Sequence, residues 1–173
     1  MPKSGQEAGR KPVTFPQYLV LNATRYADRT AMRHKSYGIW QSWSWAELFQ
    51  EIRAFSLGLR ELGLKKGDKV AIVGSNRPRL YWSFCAIQAL GGVPVPVYAD
   101  SVAEEMVYVL EHAEVVMAIC QDQEQVDKVL SMQDKLSSLH LLLYDEVRGM
   151  RDYDQEHLFS VDSIKDRGAK IFE

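Results

Sequence analysis

Between Gly63 and Tyr144 the chain alternates short apolar runs with longer segments of helical period, joined by short connections. "KVAIVG" (Lys69–Gly74) is β-branched and apolar throughout, which is how a strand covered on both faces reads. "VVMAIC" (Val115–Cys120) and "LHLLLY" (Leu139–Tyr144) have the same character. "GGVPVPVYA" (Gly91–Ala99) is a further extended segment, and its two prolines cannot donate to a ladder, so it is either a strand at a sheet edge or irregular. The intervening stretches predict helices over Leu80–Leu90, from Ser101 to His112, and over Gln123–Leu136. Strand and helix in this alternation define an α/β fold, a mostly parallel sheet with flanking helices.

The residues before Gly63 add a smaller layer. Thr14 and Gln17 have capping-box spacing, and the pattern after them predicts a helix from Phe15 to Tyr26. "TAMRHKSYGIWQSWSW" alternates around Lys35-Ser36-Tyr37-Gly38 and predicts a β-hairpin, with Trp40, Trp43 and Trp45 on a face packed against a neighbour. Ser44 and Glu47 form a second capping box. After it Leu48, Ile52, Phe55, Leu59 and Leu62 mark one face of a long helix that Gly63 ends. Asn76 and Pro78 carry helix-start chemistry, and Ser101 with Glu104 makes a third capping box. From Asp145 onward the chain is polar, with a short helix expected after Asp162. Residues 1–12 read as a flexible tail and 13–173 as one α/β unit.

A chain of 173 residues buries roughly 70% of its unfolded surface, enough for a single core. The net charge of −2 gives no basic footprint for nucleic acid, which is therefore not expected as a partner. No window approaches the roughly 20 apolar residues of a membrane span, and the polar N-terminus has no signal-peptide core. Cys85 and Cys120, the only cysteines, sit in apolar runs with no second Cys or His at metal-ligand spacing. Two reduced core thiols in a cytoplasmic protein are the expectation.

Each motif with chemical potential fails on a specific residue. Gly74 lacks the following glycines of a dinucleotide fingerprint, and Pro78 removes an amide that a phosphate would use. Gly58 and Gly63 have P-loop spacing, but Leu64 stands where the lysine belongs. Ser75 lacks the flanking glycines of a nucleophile elbow, since Val73 and Arg77 hold those positions. In "DYDQEH" (Asp152–His157) a histidine replaces the sharp-turn glycine of a calcium loop. His34, His112, His140 and His157 are scattered, and Arg77 and Arg79 read as solvated first-turn residues.

Four segments in order nonetheless resemble a known family. "SWSWAEL", "LGLKKGDKVAIVGSNRPRLYW", "CAIQALGGVPVPVYADS" and "EEMVYVLEHAEVVMAICQD" are similar to the opening of the adenylate-forming acyl-CoA synthetases, and the likeness runs from about Phe15 to Tyr144. "SNRPRLYW" and "VPVPVYADS" are most similar to the long-chain fatty acid–CoA ligases, although Ala99 and Asp100 replace the usual proline and threonine after the tyrosine.

The resemblance implies the N-terminal subdomain of the synthetase fold, incomplete in this chain. For a parent protein it implies a fatty acid or other carboxylate activated by ATP with Mg²⁺ to an acyl-adenylate, then passed to coenzyme A. The family's Ser/Gly/Thr-rich phosphate loop, hinge and C-terminal lysine have no counterpart among these residues. The expectation is therefore a fragment inactive alone, with no catalytic, cofactor-binding or metal-binding residue of its own. Trp82, Phe84 and Tyr98 could line part of an acyl tunnel in a complete ligase, with core packing the alternative. Peripheral membrane association and a homodimer stay open. So does the other reading of the whole chain, a stand-alone α/β module that binds a small ligand or a protein.

Overall fold

The structure, a computed structural model, describes residues 11–153 and 156–172. Helix α1 (Phe15–Arg25) is followed by an antiparallel hairpin, β1 (Thr30–Ser36) and β2 (Ile39–Ser44), and by the long helix α2 (Trp45–Glu61). Then come β3 (Lys69–Val73), α3 (Pro78–Ala89), β4 (Val93–Val97), α4 (Ala103–His112) and β5 (Val115–Cys120). The chain finishes with α5 (Gln123–Leu130), β6 (Leu141–Tyr144), β7 (Leu158–Ser160) and α6 (Val161–Ala169).

The five strands of the main sheet are all parallel, in the order β4-β3-β5-β6-β7. The first strand of this sheet in chain order, β3, thus lies between its second and third, β4 and β5, the doubly wound arrangement. Alternation along β3 shows why "KVAIV" carries no polar residue after Lys69. Val70 and Ile72 face one apolar cluster, while Ala71 and Val73 face another on the opposite side. The first cluster is closed by α1, α2, α3 and α6, the second by α4 and α5. Of the two readings the prolines allow, β4 takes the first and is an edge strand.

The boundaries follow local chemistry. The Thr14–Gln17 and Ser44–Glu47 capping boxes both form, with each side chain accepting from the helix and the partner reaching back to the cap amide. The hairpin turns at Tyr37 and Gly38, both with positive φ (48° and 82°), as a two-residue turn matched to strand twist requires.

Other sequence expectations are corrected. Asn76 is not the cap of α3, because Arg77 occupies that position and its side chain makes no capping bond. Helix α4 likewise starts one residue later than the Ser101–Glu104 box implies, with Val102 at the cap. Helix α5 ends at Leu130 and a short 3₁₀ turn, Gln133–Lys135, takes up the rest of the segment read as helical. Strand β7 was not expected: three residues in a polar surrounding carry too little pattern. Of the three tryptophans read as one hairpin face, Trp43 packs edge-on against Trp82 at 5.4 Å, Trp45 belongs instead to the start of α2 and is half-buried, and Trp40 faces outward. Residues 1–10 of the tail, and 154–155 of the acidic stretch, lie outside the described residues.

Candidate functional site

In a doubly wound sheet, ligands bind where two neighbouring strands send their chains in opposite directions. Here those strands are β3, which leads to α3 on one face, and β5, which leads to α5 on the other. The loops above them, Gly74–Arg77 and Gln121–Asp122, are where a crevice would open.

Gln121 fills that position. Its Oε1 accepts from the Ser75 amide at 2.7 Å and from the Ser75 hydroxyl, and its Nε2 donates to Asp122 Oδ2 at 2.9 Å. Asp122 in turn accepts from the Gln125 amide and caps α5. The side chain is buried and ties the two diverging loops together. Gly74 is the corner beneath it: a Cβ there would lie 2.6 Å from Gln121 Cβ and 2.7 Å from a Leu80 methyl. A bulkier residue would have to displace the plug.

The arginines beyond the corner are not solvated as the sequence suggested. Arg77 pairs with Glu146. Arg79 donates to Asp145 at 3.2 Å and to Asp162 at 2.8 Å. Lys165 on α6 extends the network to Glu51 on α2, at 2.9 Å. Burial works against the charge on Arg79, but Asp145 and Asp162 together outweigh it and hold the group above its ordinary range. Asp145 also sits above its ordinary range, because its burial outweighs the help from Arg79, with Asp162 and Glu146 adding repulsion. The carboxylates lie 66 to 83 residues from the arginines, so no local pattern could have disclosed the pairing.

This corner does not fit a triphosphate. Its cations are neutralised, its nearest carboxylates would repel phosphate, and Gln121 takes the amide that a phosphate oxygen would use. Among the described residues, no cluster of three or more His, Cys, Asp or Glu could hold a metal ion. The cysteines are unpaired, and burial pushes the Cys120 thiol up to about 12 and Cys85 up to about 11, so neither is a nucleophile at neutral pH.

Two hollows lined without charged side chains lie elsewhere on the surface. A cavity of about 330 Å³ at the ends of β3 and β4 is lined by Ser75, Asn76, Tyr81, Phe84 and Tyr98 among others. Trp82 is not part of it, since its buried ring belongs to the cluster beneath α2, so the three aromatics singled out in the sequence are not brought together. An apolar groove of about 380 Å³ runs between α1 and α3, past Phe15, Tyr18, Met32 and Cys85. Both features lie on a surface without charge: residues 12–24 and 80–99 contain no Asp, Glu, Lys or Arg.

Comparison with known proteins places this architecture. Residues 19–166 match the family described as AMP-binding enzyme. The long-chain-fatty-acid–CoA ligase ACSBG2 of Xenopus laevis is 28% identical over 148 residues, which is 83% of this chain and 20% of the ligase. The long-chain-fatty-acid–CoA ligase FadD15 of Mycobacterium bovis is 33% identical over 106 residues, 61% of this chain and 18% of that protein. A shorter relative, the uncharacterized Mycobacterium tuberculosis protein Rv1549, is 29% identical over 119 residues, covering 69% of this chain and 66% of its own length. Among solved structures, the anthranilate CoA ligase AuaEII aligns with a TM-score of 0.76 at 19% identity, over 88% of this chain and 27% of that one. Acetoacetyl-CoA synthetase from Streptomyces lividans aligns equally well, at 0.76 and 19%, over 87% and 24%.

The sheet and its flanking helices have the α/β fold seen in adenylate-forming ligases. The chain belongs to the AMP-binding enzyme family, and it spans about a fifth of the length of the long-chain ligases it matches.

Proposed function

We propose that this chain is the N-terminal scaffold of an AMP-forming fatty acid–CoA ligase and carries none of its catalytic, nucleotide-binding or metal-binding residues. The observation that carries this reading is the coverage: the family match takes up residues 19–166 of the chain, while the chain's match to the long-chain ligases takes up only about a fifth of them. In the parent protein a carboxylate attacks the α-phosphate of Mg²⁺-bound ATP, releasing pyrophosphate, and coenzyme A thiolate then displaces AMP. The scaffold's part is mechanical. It holds a surface built from residues 12–24 and 80–99, which carry no charged side chain, against which the remainder of a ligase would pack, and it seals its own sheet end with Gln121. A long-chain fatty acid as substrate and a cytoplasmic setting follow from the same reading, as does a homodimer if that surface meets a second copy.

Calorimetric titration of the purified 173-residue chain with MgATP tests it. No heat of binding is expected up to millimolar nucleotide, and no ATP–pyrophosphate exchange. Saturable binding near micromolar ATP would overturn the proposal.

A second reading, a stand-alone module, is favoured by one finding: the short mycobacterial relative, two thirds of whose length is covered. A transcript whose reading frame stops after Glu173, together with a soluble accumulating protein, would select it.

A further inference from the structure

Among the described residues, three buried side-chain atoms have no hydrogen-bond partner in the protein, and two of them belong to residues around one small hollow. These are Trp82 Nε1, on α3, and Glu51 Oε2, on α2. Trp82 is only 5% exposed. Its indole N–H can only donate, and burying a donor without an acceptor forfeits its hydration outright. Lys165 Nζ stands 2.9 Å from Glu51 Oε2, but that ion pair does not have the geometry of a hydrogen bond. Folded interiors leave few such atoms unpaired.

The hollow lies between α2, α3 and α6. Phe55 and Val161 form its apolar walls, and Glu51, Arg79, Trp82 and Lys165 complete it. Its volume is about 10 Å³, room for one water. The same four residues also line a larger cavity of about 240 Å³ that reaches His34 and Gln41 on the hairpin, which gives the hollow a route to solvent.

From this geometry we infer that the hollow is a binding site for a single ordered water, which accepts from the Trp82 N–H, donates to Glu51 Oε2, and so bridges α3 to α2. The two atoms identify the occupant, because one is a donor and the other a carboxylate acceptor. An anion would satisfy the indole but be repelled by Glu51. A metal or ammonium cation would satisfy Glu51 but could not accept from the indole. Only a group that both accepts and donates serves the two, and the volume restricts it to a molecule the size of water. Arg79 and Lys165, around the same space, are further donors, which brings the water to the usual three or so partners. The inference does not depend on the ligase reading, since it concerns the packing of α2, α3 and α6 and involves no nucleotide.

The test is nuclear magnetic resonance on the whole chain. The Trp82 indole proton, assigned through its own ring and backbone, is expected to show a cross-peak at the water frequency. A long-lived water gives that peak opposite signs in laboratory-frame and rotating-frame experiments, whereas proton exchange gives the same sign in both. Glu51→Leu, at a partly exposed position, is expected to abolish the peak. Lys165→Met is expected to leave it in place, because the water and not the ammonium is its source. Unchanged circular dichroism would show that both variants fold, and the native protein alone already decides whether the peak exists. Its absence there, or contacts of the indole proton with the Trp43 ring in its place, would overturn the inference. So would a peak undiminished in Glu51→Leu, or one lost from folded Lys165→Met. Failure of the ATP prediction above would leave this site untouched, and loss of the site would leave the ligase reading standing.

Discussion

The two faces of the sheet are covered by different means. On the face closed by α1, α2, α3 and α6, two helix backbones touch. A Cβ on Gly58 would lie 2.0 Å from the Ile164 carbonyl oxygen, and one on Gly168 would lie 1.9 Å from that of Ala54. On the face closed by α4 and α5 the core is filled instead by Met106, Met132 and Met150 among Leu110, Val126 and Val129. Methionine adapts its shape to the space available, whereas a carbonyl at a helix crossing does not. One face is set by where the backbone must be, and the other by how much volume is filled.

The largest test of that difference is Gly58→Val. Its side chain would meet backbone rather than a movable group, and overpacking of this kind costs up to about 3 kcal/mol. The gain in helix propensity, at most about 1 kcal/mol, does not offset it. A fall in Tm of several degrees, about 2–4 °C per kcal/mol for a chain of this size, is the expected calorimetric result. On the opposite face, Met106→Leu conserves volume at a fully buried position and should cost less than about 1.5 kcal/mol. If the methionine variant were the more damaging of the two, the contrast between the faces would be wrong.

What the sequence disclosed and what it hid divide along the same physical line. The strands of the sheet centre were readable because burial on both faces removes polar residues from them, as in "KVAIV" and "VVMAIC". Two capping boxes were readable because donor and acceptor are three residues apart. The third failed because spacing alone does not say whether backbone turns at Ser101 or at Val102. Gly58 could be seen not to be a phosphate-loop glycine, but its use as a contact for α6 depends on a helix more than 100 residues later. Gln121 gave no signal at all. A glutamine after a strand is ordinary, and only the placement of β5 beside β3 brings it over Ser75. The network of Arg79 with Asp145 and Asp162 was missed for the same reason.

That network carries the smallest test, and it refines the contrast electrostatically. It lies at the rim of the tightly packed face, with Arg79 on α3, Asp162 on α6 and Asp145 just past β6. The Asp145 side chain is only 11% exposed. Its burial raises the carboxyl above the ordinary value of 3.8, Arg79 opposes that, and the net direction is upward. The native state therefore holds the Asp145 proton more tightly than the unfolded chain does. Its contribution to stability is fully present below the ordinary value and is lost as pH rises through the raised one. Glu47 has the opposite sign. Hydrogen bonds from the Ser44 backbone and hydroxyl lower it, so its contribution is present at neutral pH and is lost as pH falls through the lowered value. Asp145→Asn should remove the first slope and leave the second, because Arg79 keeps Asp162 at 2.8 Å. Thermal midpoints of the two proteins across the mildly acidic range should therefore diverge as pH rises, with the asparagine variant losing less. Parallel curves would mean that Asp145 is as well solvated as an exposed carboxylate, and that the rim of this face is no more tightly closed than the rest of the surface.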